Sequence, residues 1–177
     1  MSDVFRYKGR VGVIPFLAFM LVPGCQYLFC IRVLQATSMY NPFHLIFRII
    51  KHLLSVLYGI QIPKSVKLGE GFYIGHYGTI VVNGKVRIGN NCNISHNVTI
   101  GRTNRGSKKG TPTIHNRVWI GAGAVIVGEI KINDDVLIAP NSFVNFDVPQ
   151  GSIVIGNPGK IIRRERAIEG YINNIWT

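Results

Sequence analysis

Aliphatic residues recur at every sixth position through most of the chain. An α-helix repeats every 3.6 residues and a strand every two, so a period of six fits neither element by itself. The period shifts twice, first by two extra residues at the Asn83-Gly84 turn and then by a longer excursion over residues 101–113. The thirteen aliphatic positions are Ile62, Leu68, Ile74, Ile80, Ile88, Ile94, Ile100, Ile114, Ile120, Ile126, Ile132, Ile138 and Val144.

Each repeat of six is interpreted as one side of a triangular prism, a short strand followed by a corner. Three sides form one coil, and the aliphatic side chain of every side points into the interior. Stacked coils bring equivalent positions to about 4.8 Å, the spacing of strands in a sheet. Thirteen repeats make an ordinary β-sandwich with accidental spacing a poor alternative. The sequence therefore predicts a mainly β fold, a parallel β-helix over residues 60–158.

The segment before the prism, residues 1–59, is predicted to be helical. Residues 42–58 have a helical period, with Asn41-Pro42 as the helix start and Gly59 as its stop. A second helix is expected over residues 24–36, and the basic tail over residues 159–177 is also expected to be helical. In the helix over 42–58 the apolar stripe comprises Phe43, Ile46, Phe47, Ile50, Leu53, Leu54 and Leu57, while His44, Arg48, Lys51, His52 and Ser55 form the polar face.

The stretch between Arg10 and Arg32 contains 21 residues without a charge, long enough to span a bilayer. Proline, glycine and glutamine interrupt it, so a helical cap packed on the prism is preferred to a transmembrane span. Such a cap would rest its basic and apolar surface on an anionic membrane. Residues 1–58 are therefore predicted to make a peripheral contact with the inner face of the cytoplasmic membrane. The residues expected to face lipid phosphates are Arg6, Lys8, Arg10, Arg48 and Lys51.

The charge of the chain favours anionic partners. Among 177 residues, 20 Lys and Arg against eight Asp and Glu leave a formal net charge of +12. The basic residues are spread along the chain without interleaved aromatic residues, so a nucleic-acid partner is not expected. Cys25, Cys30 and Cys92 form no CxxC pair, and we interpret them as reduced thiols of a cytoplasmic protein.

Two histidines fall at equivalent places in the repeat. His76 is the third residue of the repeat that begins at Ile74, and His96 is the third residue of the repeat at Ile94. These repeats are three sides apart, so both histidines are expected at the same corner of adjacent coils. The column continues with small or compact residues, and a thin ligand lying along it would present its end to a histidine. The next two positions of the column are Ala122 and Pro140, whereas His115 occupies a different position and is expected to be structural or exposed to solvent.

The interrupted repeat resembles the hexapeptide-repeat acyltransferases over residues 59–162. The resemblance implies a left-handed β-helix and a homotrimer with active sites between subunits. The stretch "GEGFYIGHYGTIVVNGKVRIGNNCNISHNVTIG" (69–101) is similar to the serine acetyltransferase-like branch. Within that branch it resembles in particular the bacterial exopolysaccharide and colanic acid O-acetyltransferases.

The resemblance implies acetyl transfer from acetyl-CoA without a metal. In that branch the histidine matching His76 is the general base, which takes the proton of an acceptor hydroxyl so that the oxygen attacks the thioester carbonyl. His96 would polarise or position the acceptor, or would only occupy the trimer interface. The loop 101–113 would help to wall the site of the adjacent subunit.

Two further sequence motifs match those with which the family binds acetyl-CoA. "GAGAVIVG" (121–128) matches the word that lines the pantetheine arm, and "IGNPGKIIRR" (155–164) matches the closing segment of the repeat. The resemblance implies contacts with the arm from Gly121, Ala122 and Pro140. It also implies contacts between the CoA phosphates and three basic residues, for which a solvated tail is the alternative: Lys160, Arg163 and Arg164.

The chain departs from serine acetyltransferases at positions that touch the acceptor. Gln61 stands where those enzymes carry an aspartate that orients the base, and Gly110 and Thr111 replace an Arg-His pair. The missing arginine would bind an amino-acid carboxylate, so we expect a carbohydrate hydroxyl of a capsule or exopolysaccharide unit as acceptor. Gln61, Tyr77 and Thr111 are the expected acceptor contacts.

Four alternative functions fit the sequence less well than this expectation. A serine O-acetyltransferase and a xenobiotic acetyltransferase are alternatives on the same prism. A metal-dependent hydratase of the carbonic anhydrase kind needs two histidines five residues apart, and the chain has no such pair. A membrane scaffold without enzymatic activity would require the matches of the groove motifs, residues 121–128 and 155–164, to be accidental.

Overall fold

The computed structural model describes all 177 residues. Four helices precede fifteen short strands. The helices are α1 (Ser2–Lys8), α2 (Val13–Phe19), α3 (Pro23–Ala36) and α4 (Pro42–Tyr58). The strands are β1 (Ile60–Gln61), β2 (Lys67–Leu68), β3 (Tyr73–Ile74), β4 (Ile80–Val82), β5 (Arg87–Ile88), β6 (Asn93–Ile94), β7 (Thr99–Gly101), β8 (Thr113–Ile114), β9 (Trp119–Ile120), β10 (Val125–Val127), β11 (Lys131–Ile132), β12 (Val136–Ile138), β13 (Phe143–Val144), β14 (Ser152–Ile155) and β15 (Lys160–Arg163).

The strands form three parallel sheets that are the three sides of a prism. Side A contains β1-β4-β7-β10-β13, side B contains β2-β5-β8-β11, and side C contains β3-β6-β9-β12-β14, with β15 added antiparallel to β14. Because consecutive strands visit A, B and C in turn, the chain coils as a solenoid of about five turns, consistent with a left-handed β-helix. The predicted fold class, mainly β with an N-terminal helical region, is confirmed.

The aliphatic period is the core of the prism. Twelve of the thirteen predicted positions are buried, and Leu68, the exception, is partly buried and packs against the same core. On side C, Ile74 pairs with Ile94, Ile94 with Ile120 and Ile120 with Ile138. Each coil thus stacks an aliphatic side chain on its equivalent in the coil before, which removes nearly all of that apolar surface from water.

The first interruption of the six-residue period does not lie at the Asn83-Gly84 turn, where the sequence analysis places it. Ile74 pairs with Ile94, twenty residues later, but Val82 pairs with Ile100, eighteen later. The two extra residues therefore lie between Ile74 and Val82, and not at Asn83-Gly84. Ile80 and Val82 are both buried aliphatics, so counting in sixes cannot tell which of them belongs to the ladder. The turn that carries His76 is consequently two residues longer than the equivalent turn that carries His96.

Helices α1 and α3 cap the open edges of the first coil. An edge strand exposes backbone groups that need partners. In β3, the hydroxyl of Tyr7 donates to the carbonyl of Ile74 at 2.8 Å and accepts from its N–H at 2.7 Å. Next to β2, the guanidinium of Arg32 donates to the carbonyl of Leu68 at 2.9 Å and also bonds Asp3 at 2.8 Å. Polar side chains from helices thus replace the missing strands of a preceding coil.

Helix α4 has the reverse of the usual amphipathic orientation. The predicted apolar stripe is mostly exposed, including Ile46, Ile50, Leu53 and Leu57. The side chains turned inward are largely polar, and His44 of the predicted polar face is buried. Its ring bonds the Thr37 hydroxyl at 3.0 Å and lies 3.2 Å from the amine of Lys64. The six residues that are buried or half-buried are His44, Phe47, Lys51, Leu54, Ser55 and Tyr58.

The C-terminal tail is not helical as predicted. β15 extends side C by pairing antiparallel with β14, with Ser152 opposite Arg163 and Ile155 opposite Lys160. Residues 165–171 then form turns, and the end of the chain returns to the first coils, where the backbone N–H of Trp176 donates to the side-chain oxygen of Asn91 at 2.9 Å. Pairing with an available sheet edge thus outweighs the helical tendency of an isolated basic segment.

Candidate active site

The two histidines lie next to each other on one edge of the prism, where side C turns into side A. They follow the paired residues Ile74 and Ile94 at the same offset, and their ring centroids are 5.7 Å apart with planes at 85°. Both side chains are exposed, and neither ring forms a hydrogen bond within the chain. The predicted column of His76 above His96 is therefore present, and this edge is called the histidine edge below.

The longer turn around His76 is attached to the end of α4. The N–H of Gly78 donates to the carbonyl of Tyr58 at 2.9 Å, and the rings of Tyr58 and Tyr77 are 5.6 Å apart. Gly78 has φ of 123°, and a Cβ there would lie 3.5 Å from the Cβ of His96. This backbone conformation favours glycine and brings the turn against the second histidine. The helical cap therefore helps to set the position of His76.

Tyr7 and Tyr58 are site-supporting residues that the sequence reasoning missed. Tyr7 bonds the backbone of Ile74 two residues before His76, and the hydroxyl of Tyr58 donates to the side-chain oxygen of Gln26 at 2.6 Å. Both tyrosines belong to helical segments, outside the repeat from which the site was inferred. The only sequence signal is their aromatic character close to the start of the prism, which is too general to have identified them.

The three expected acceptor contacts differ in their relation to His76. Gln61 is paired with Val81 on side A and forms no hydrogen bond with the imidazole. Thr111 follows the loop on the edge between sides A and B. Tyr77 alone adjoins His76, and its side chain is 59% exposed. Tyr77 is therefore the expected contact that directly adjoins His76 in the chain.

The predicted groove residues separate into lining and packing positions. Ala122 and Pro140 follow His96 along the histidine edge, because Ile94, Ile120 and Ile138 are paired in register. Gly121 is buried, and a Cβ there would lie 2.7 Å from the backbone nitrogen of Pro140 and 2.8 Å from the ring of Trp119. The stacking of the coils by itself explains why position 121 has no side chain.

The three basic residues expected at the CoA phosphates are spread along β15. Lys160 pairs with Ile155, at the end of β14 that enters the histidine edge. Arg163 pairs with Ser152 at the other end of the strand, about 10 Å away at 3.3 Å per residue. Its guanidinium donates to the carbonyl of Gln150 at 3.0 Å, and the N–H of Arg164 bonds Gly151. Lys160 is therefore at the groove, and the two arginines lie towards the edge between sides B and C.

The basic loop forms a small hairpin on a different edge from the histidines. Thr103 and Gly110 bond each other's backbones at 3.0 Å, and the N–H of Glu129 donates to the carbonyl of Lys108 at 2.9 Å. The amine of Lys108 also lies 3.2 Å from a carboxylate oxygen of Asp147. The loop thus packs on the neighbouring coils of its own edge, between sides A and B, while its other cations remain free: Arg102, Arg105 and Lys109.

The remaining ionisable clusters are structural. At the edge between sides B and C, the guanidinium of Arg117 bonds Asp135 at 2.6 Å and Asp134 at 3.2 Å, which holds the pKa of Asp135 below its usual value. Cys92 is fully buried in the prism, and desolvation raises its pKa to about 12. All three cysteines are free and buried. A buried thiol with a raised pKa is a poor nucleophile, so Cys92 is expected to be unreactive.

The parallel prism and its column of histidine, alanine and proline define a hexapeptide-repeat transferase. A family model described as bacterial transferase hexapeptide (six repeats) matches residues 111–145. A serine acetyltransferase of Helicobacter pylori is 37% identical over 147 residues, which cover 83% of this chain and 85% of that protein. A serine acetyltransferase of Synechococcus elongatus is 38% identical over 143 residues, 80% of this chain and 58% of that protein.

The structure is also similar to solved serine acetyltransferases. The enzyme of Brucella abortus strain S19 in complex with coenzyme A superposes with a TM-score of 0.77 at 26% identity, covering 92% of this chain and 66% of that one. The chain thus spans about two thirds of that solved protein. Taken with the Helicobacter match, these similarities show that the chain belongs to the hexapeptide-repeat transferase family as a homologue of serine acetyltransferases.

These comparisons confirm the expected class and correct the expected acceptor. An acetyltransferase that uses acetyl-CoA is supported, but the predicted carbohydrate acceptor is wrong, because the relatives are serine acetyltransferases. The resemblance to exopolysaccharide O-acetyltransferases is likewise not supported. The error came from Gln61, Gly110 and Thr111. A missing cation at one position shows only that this position does not bind a carboxylate, and other cations of the chain remain available for it.

Proposed function

We propose that this chain is a serine O-acetyltransferase that moves the acetyl group of acetyl-CoA to the hydroxyl of L-serine. The observation that carries the proposal is the 37% identity to the Helicobacter pylori serine acetyltransferase over most of both chains. The similarity to a solved serine acetyltransferase that binds coenzyme A supports acetyl-CoA as the donor. The exposed pair of histidines supplies a group suited to the proton transfer.

His76 acts as the general base in this proposal. Its imidazole takes the proton of the serine hydroxyl while that oxygen attacks the thioester carbonyl carbon. When the tetrahedral intermediate collapses, the carbon–sulfur bond breaks and the imidazolium returns the proton to the CoA sulfur. The products are O-acetylserine and CoA, and His76 is left neutral for the next cycle. An exposed imidazole without a partner in the chain is free to exchange this proton.

His96 is proposed to position His76 in the absence of an aspartate. The two rings meet edge to face at 85°, an arrangement in which one ring restricts the rotation of the other by packing. Gly78 of the turn that carries His76 also faces His96, since a Cβ added at Gly78 would lie 3.5 Å from the Cβ of His96. His96 therefore limits the directions in which the base can point, without forming an ion pair with it.

The carboxylate of serine needs a cation beside His76. The cation that this chain brings to the histidine edge, Lys160, lies at the far end of that edge, beyond Pro140. The free cations of the loop, Arg102 and Arg105, lie on another edge of the same prism, so they reach a histidine edge only in a neighbouring copy. We therefore propose a homotrimer in which the loop of one chain closes the site of the next. Arg102 or Arg105 would then bind the serine carboxylate through the forked geometry of a guanidinium.

The donor is proposed to lie along Ala122 and Pro140, with Lys160 at the end of its path. Small side chains at the edge let a thin chain approach the backbone closely, and an ammonium group meets a phosphate as a point charge. Arg163 and Arg164 would contribute only to the general positive potential near the CoA phosphates, since the structure turns them towards the opposite edge.

The test measures CoA release from acetyl-CoA in the presence of L-serine. Wild type is expected to turn over, and His76→Ala is expected to lower kcat by about 10²- to 10⁴-fold, the range of a lost general base. His115→Ala is the matched control, because it removes a histidine from a different edge. Turnover with serine that survives His76→Ala would overturn the assignment of the base. Absence of turnover with serine by wild type that binds CoA would overturn the acceptor.

A second measurement addresses the serine carboxylate. Arg105→Ala is expected to raise KM for serine more than it lowers kcat, because the guanidinium binds substrate and does not react. Lys85→Ala, which removes a cation on the turn after side A of the second coil, serves as the matched control. An equal KM for both variants would exclude Arg105 as the carboxylate ligand.

A further inference from the structure

The outer surface of α4 is almost entirely apolar and has no partner in the chain. Six side chains on it are between 50% and 74% exposed, so apolar surface faces outward from Leu45 to Leu57, about three and a half turns of the helix. Soluble surfaces rarely leave so many large apolar residues together without an interaction. We call this surface the α4 face; it comprises Leu45, Ile46, Ile49, Leu53, Val56 and Leu57.

The α4 face continues onto α2. Phe16 of α2 lies 5.7 Å from Phe29 of α3, and Phe29 lies 5.9 Å from Phe47 of α4, measured between ring centroids. This row of rings joins the three helices into one layer. Two residues of α2, Val13 and Ile14, are each 76% exposed, so the apolar surface is not confined to one helix.

Positive charge flanks this surface, and negative charge is absent from the whole segment. The sequence contains no Asp or Glu between Asp3 and Glu70. Arg48 and His52 are exposed on α4 beside the apolar residues. An open cavity of about 780 Å³ adjoins Leu45 and Ile49 of the face, and it is also lined by Arg48, His52 and Lys64. A recess of this size and charge suits a phosphate-bearing headgroup.

Not all of the basic residues predicted to face lipid phosphates are exposed in the structure. Arg6 is buried, where it bonds the carbonyl of Gly71 at 3.0 Å and also Asn93. The amine of Lys51 lies 5.0 Å from the ring centroid of Tyr27, on the inner side of α4, and its side chain also lines the cavity. The exposed cations Lys8, Arg10 and Arg48 remain available.

We propose that the α4 face docks on the surface of an anionic lipid bilayer, with its apolar residues in the acyl boundary and Arg48 at the lipid phosphates. A second copy of the chain is the obvious competing occupant. Two such faces brought together would place like charges opposite each other with no carboxylate to compensate them, which is unfavourable. An anionic bilayer offers both an apolar interior and the missing negative charge.

The helices favour a peripheral contact over a crossing. No single helix is long and apolar enough to cross a membrane, and only the pair of α2 and α3, bent by 109°, has the length and composition together. α3 is committed to the prism, with Tyr27, Leu28 and Ile31 fully buried in its core. Extracting α3 into lipid would expose that core, so the chain is expected to lie on the membrane.

The test uses sedimentation of the full chain with vesicles of phosphatidylcholine, alone or mixed with phosphatidylglycerol. Binding to the mixed vesicles, weakened by salt, is expected. Leu53→Asp is expected to reduce partitioning by about tenfold or more, and Arg48→Gln by about fivefold, which corresponds to about 1 kcal/mol per basic residue at the surface. Ile162→Asp, an equally apolar exposed site on β15, is the matched control and is expected to bind like wild type.

A second readout separates docking from misfolding and from self-association. All native thiols are buried, so Val56→Cys can be labelled selectively with a polarity-sensitive dye. A blue shift on adding mixed vesicles, absent when the dye is placed through Ile162→Cys, would support docking of the α4 face. The proposal is overturned if neither vesicle is bound. It is also overturned if Leu53→Asp lowers the oligomeric mass in sedimentation velocity while vesicle binding is unchanged. Neither result bears on acetyl transfer to serine.

Discussion

Tyr7→Phe tests whether side chains of α1 substitute for a missing strand beside the catalytic turn. The hydroxyl of Tyr7 both donates to and accepts from the backbone of Ile74, at 2.8 and 2.7 Å. Phenylalanine keeps the ring and its stacking on Tyr73, with centroids 4.1 Å apart, so only the two hydrogen bonds are lost. Burial raises the pKa of Tyr7 well above its usual value, so the hydroxyl remains neutral in ordinary buffers.

The expected cost follows from the bonds that are removed. Each hydrogen bond contributes about 0.5–1.5 kcal/mol net, and leaving a buried backbone group without a partner costs about 1–3 kcal/mol. Because water can reach part of this site, we expect a loss of about 2–3 kcal/mol in the free energy of unfolding. At about 2–4 °C per kcal/mol for a chain of this size, the melting temperature would fall by roughly 4–12 °C.

The assay is urea unfolding followed by tryptophan fluorescence, at one fixed protein concentration because oligomerisation would shift the midpoint. Tyr40→Phe is the matched control, since Tyr40 is 90% exposed and its hydroxyl forms no hydrogen bond in the chain. The control is expected to unfold like wild type. If Tyr7→Phe also unfolds within about 0.5 kcal/mol of wild type, the hydroxyl does not support the edge of β3, and the capping argument fails.

Three further outcomes follow from the interior and corners of the prism. Ile94→Ala is expected to destabilise the chain by about 2–5 kcal/mol in urea unfolding, since it opens a cavity in the fully packed ladder; a loss below 1 kcal/mol would mean that this position is not in the core. Cys25 and Cys92, whose pKa values are raised to about 12 by burial, are expected to resist alkylation at pH 8 and to react only after denaturation; fast native labelling would contradict their burial. Arg117 lowers the pKa of Asp135, so the stabilisation from this ion pair is present above the unfolded pKa of about 3.9 and is lost as pH falls through the lower folded value. Asp135→Asn should therefore lower the free energy of unfolding by up to about 1 kcal/mol at pH 7 and by little at pH 2. An equal loss at both pH values would exclude the Arg117–Asp135 pair as the source of the stabilisation.

The acceptor was predicted wrongly because the prediction relied on single positions of the site. The predicted carbohydrate acceptor rested on Gln61, Gly110 and Thr111 as departures from the serine acetyltransferase pattern. The inference from them assumed that the serine carboxylate is bound by those positions or by none. Carboxylate binding requires only a cation at the right place, and the loop retains Arg102 and Arg105. Overall similarity along most of the chain therefore carries more weight than three substitutions.

The histidine pair could be predicted because it depends on one ladder only. Counting from Ile74 and Ile94, which are paired, places His76 and His96 at equal offsets whatever happens later in the turn. The length of the His76 turn could not be predicted, because Ile80 and Val82 are equally suited to the interior. The support from Tyr7 and Tyr58 could not be predicted either, since it joins residues far apart in the chain.

The orientation of α4 could not be read from the pattern of the helix alone, for a related reason. A helical period shows that one face is apolar, and for most helices of soluble proteins that face is the packed one. Here the first coil presents edge strands and buried polar partners, and His44, Lys51 and Ser55 face it. The environment of a helix, and not its own pattern, decides which of its faces is turned inward.

By itself the sequence determined the three-sided prism, its interior ladder and the column of His76, His96, Ala122 and Pro140. It could do so because every coil repeats the same local requirement, an aliphatic inside and a small or polar corner, at a fixed interval. Only the tertiary structure decided where the extra residues lie, which face of α4 is exposed, and that the loop and the histidines occupy different edges. Those features depend on contacts between segments distant in the chain, and no local period records such contacts.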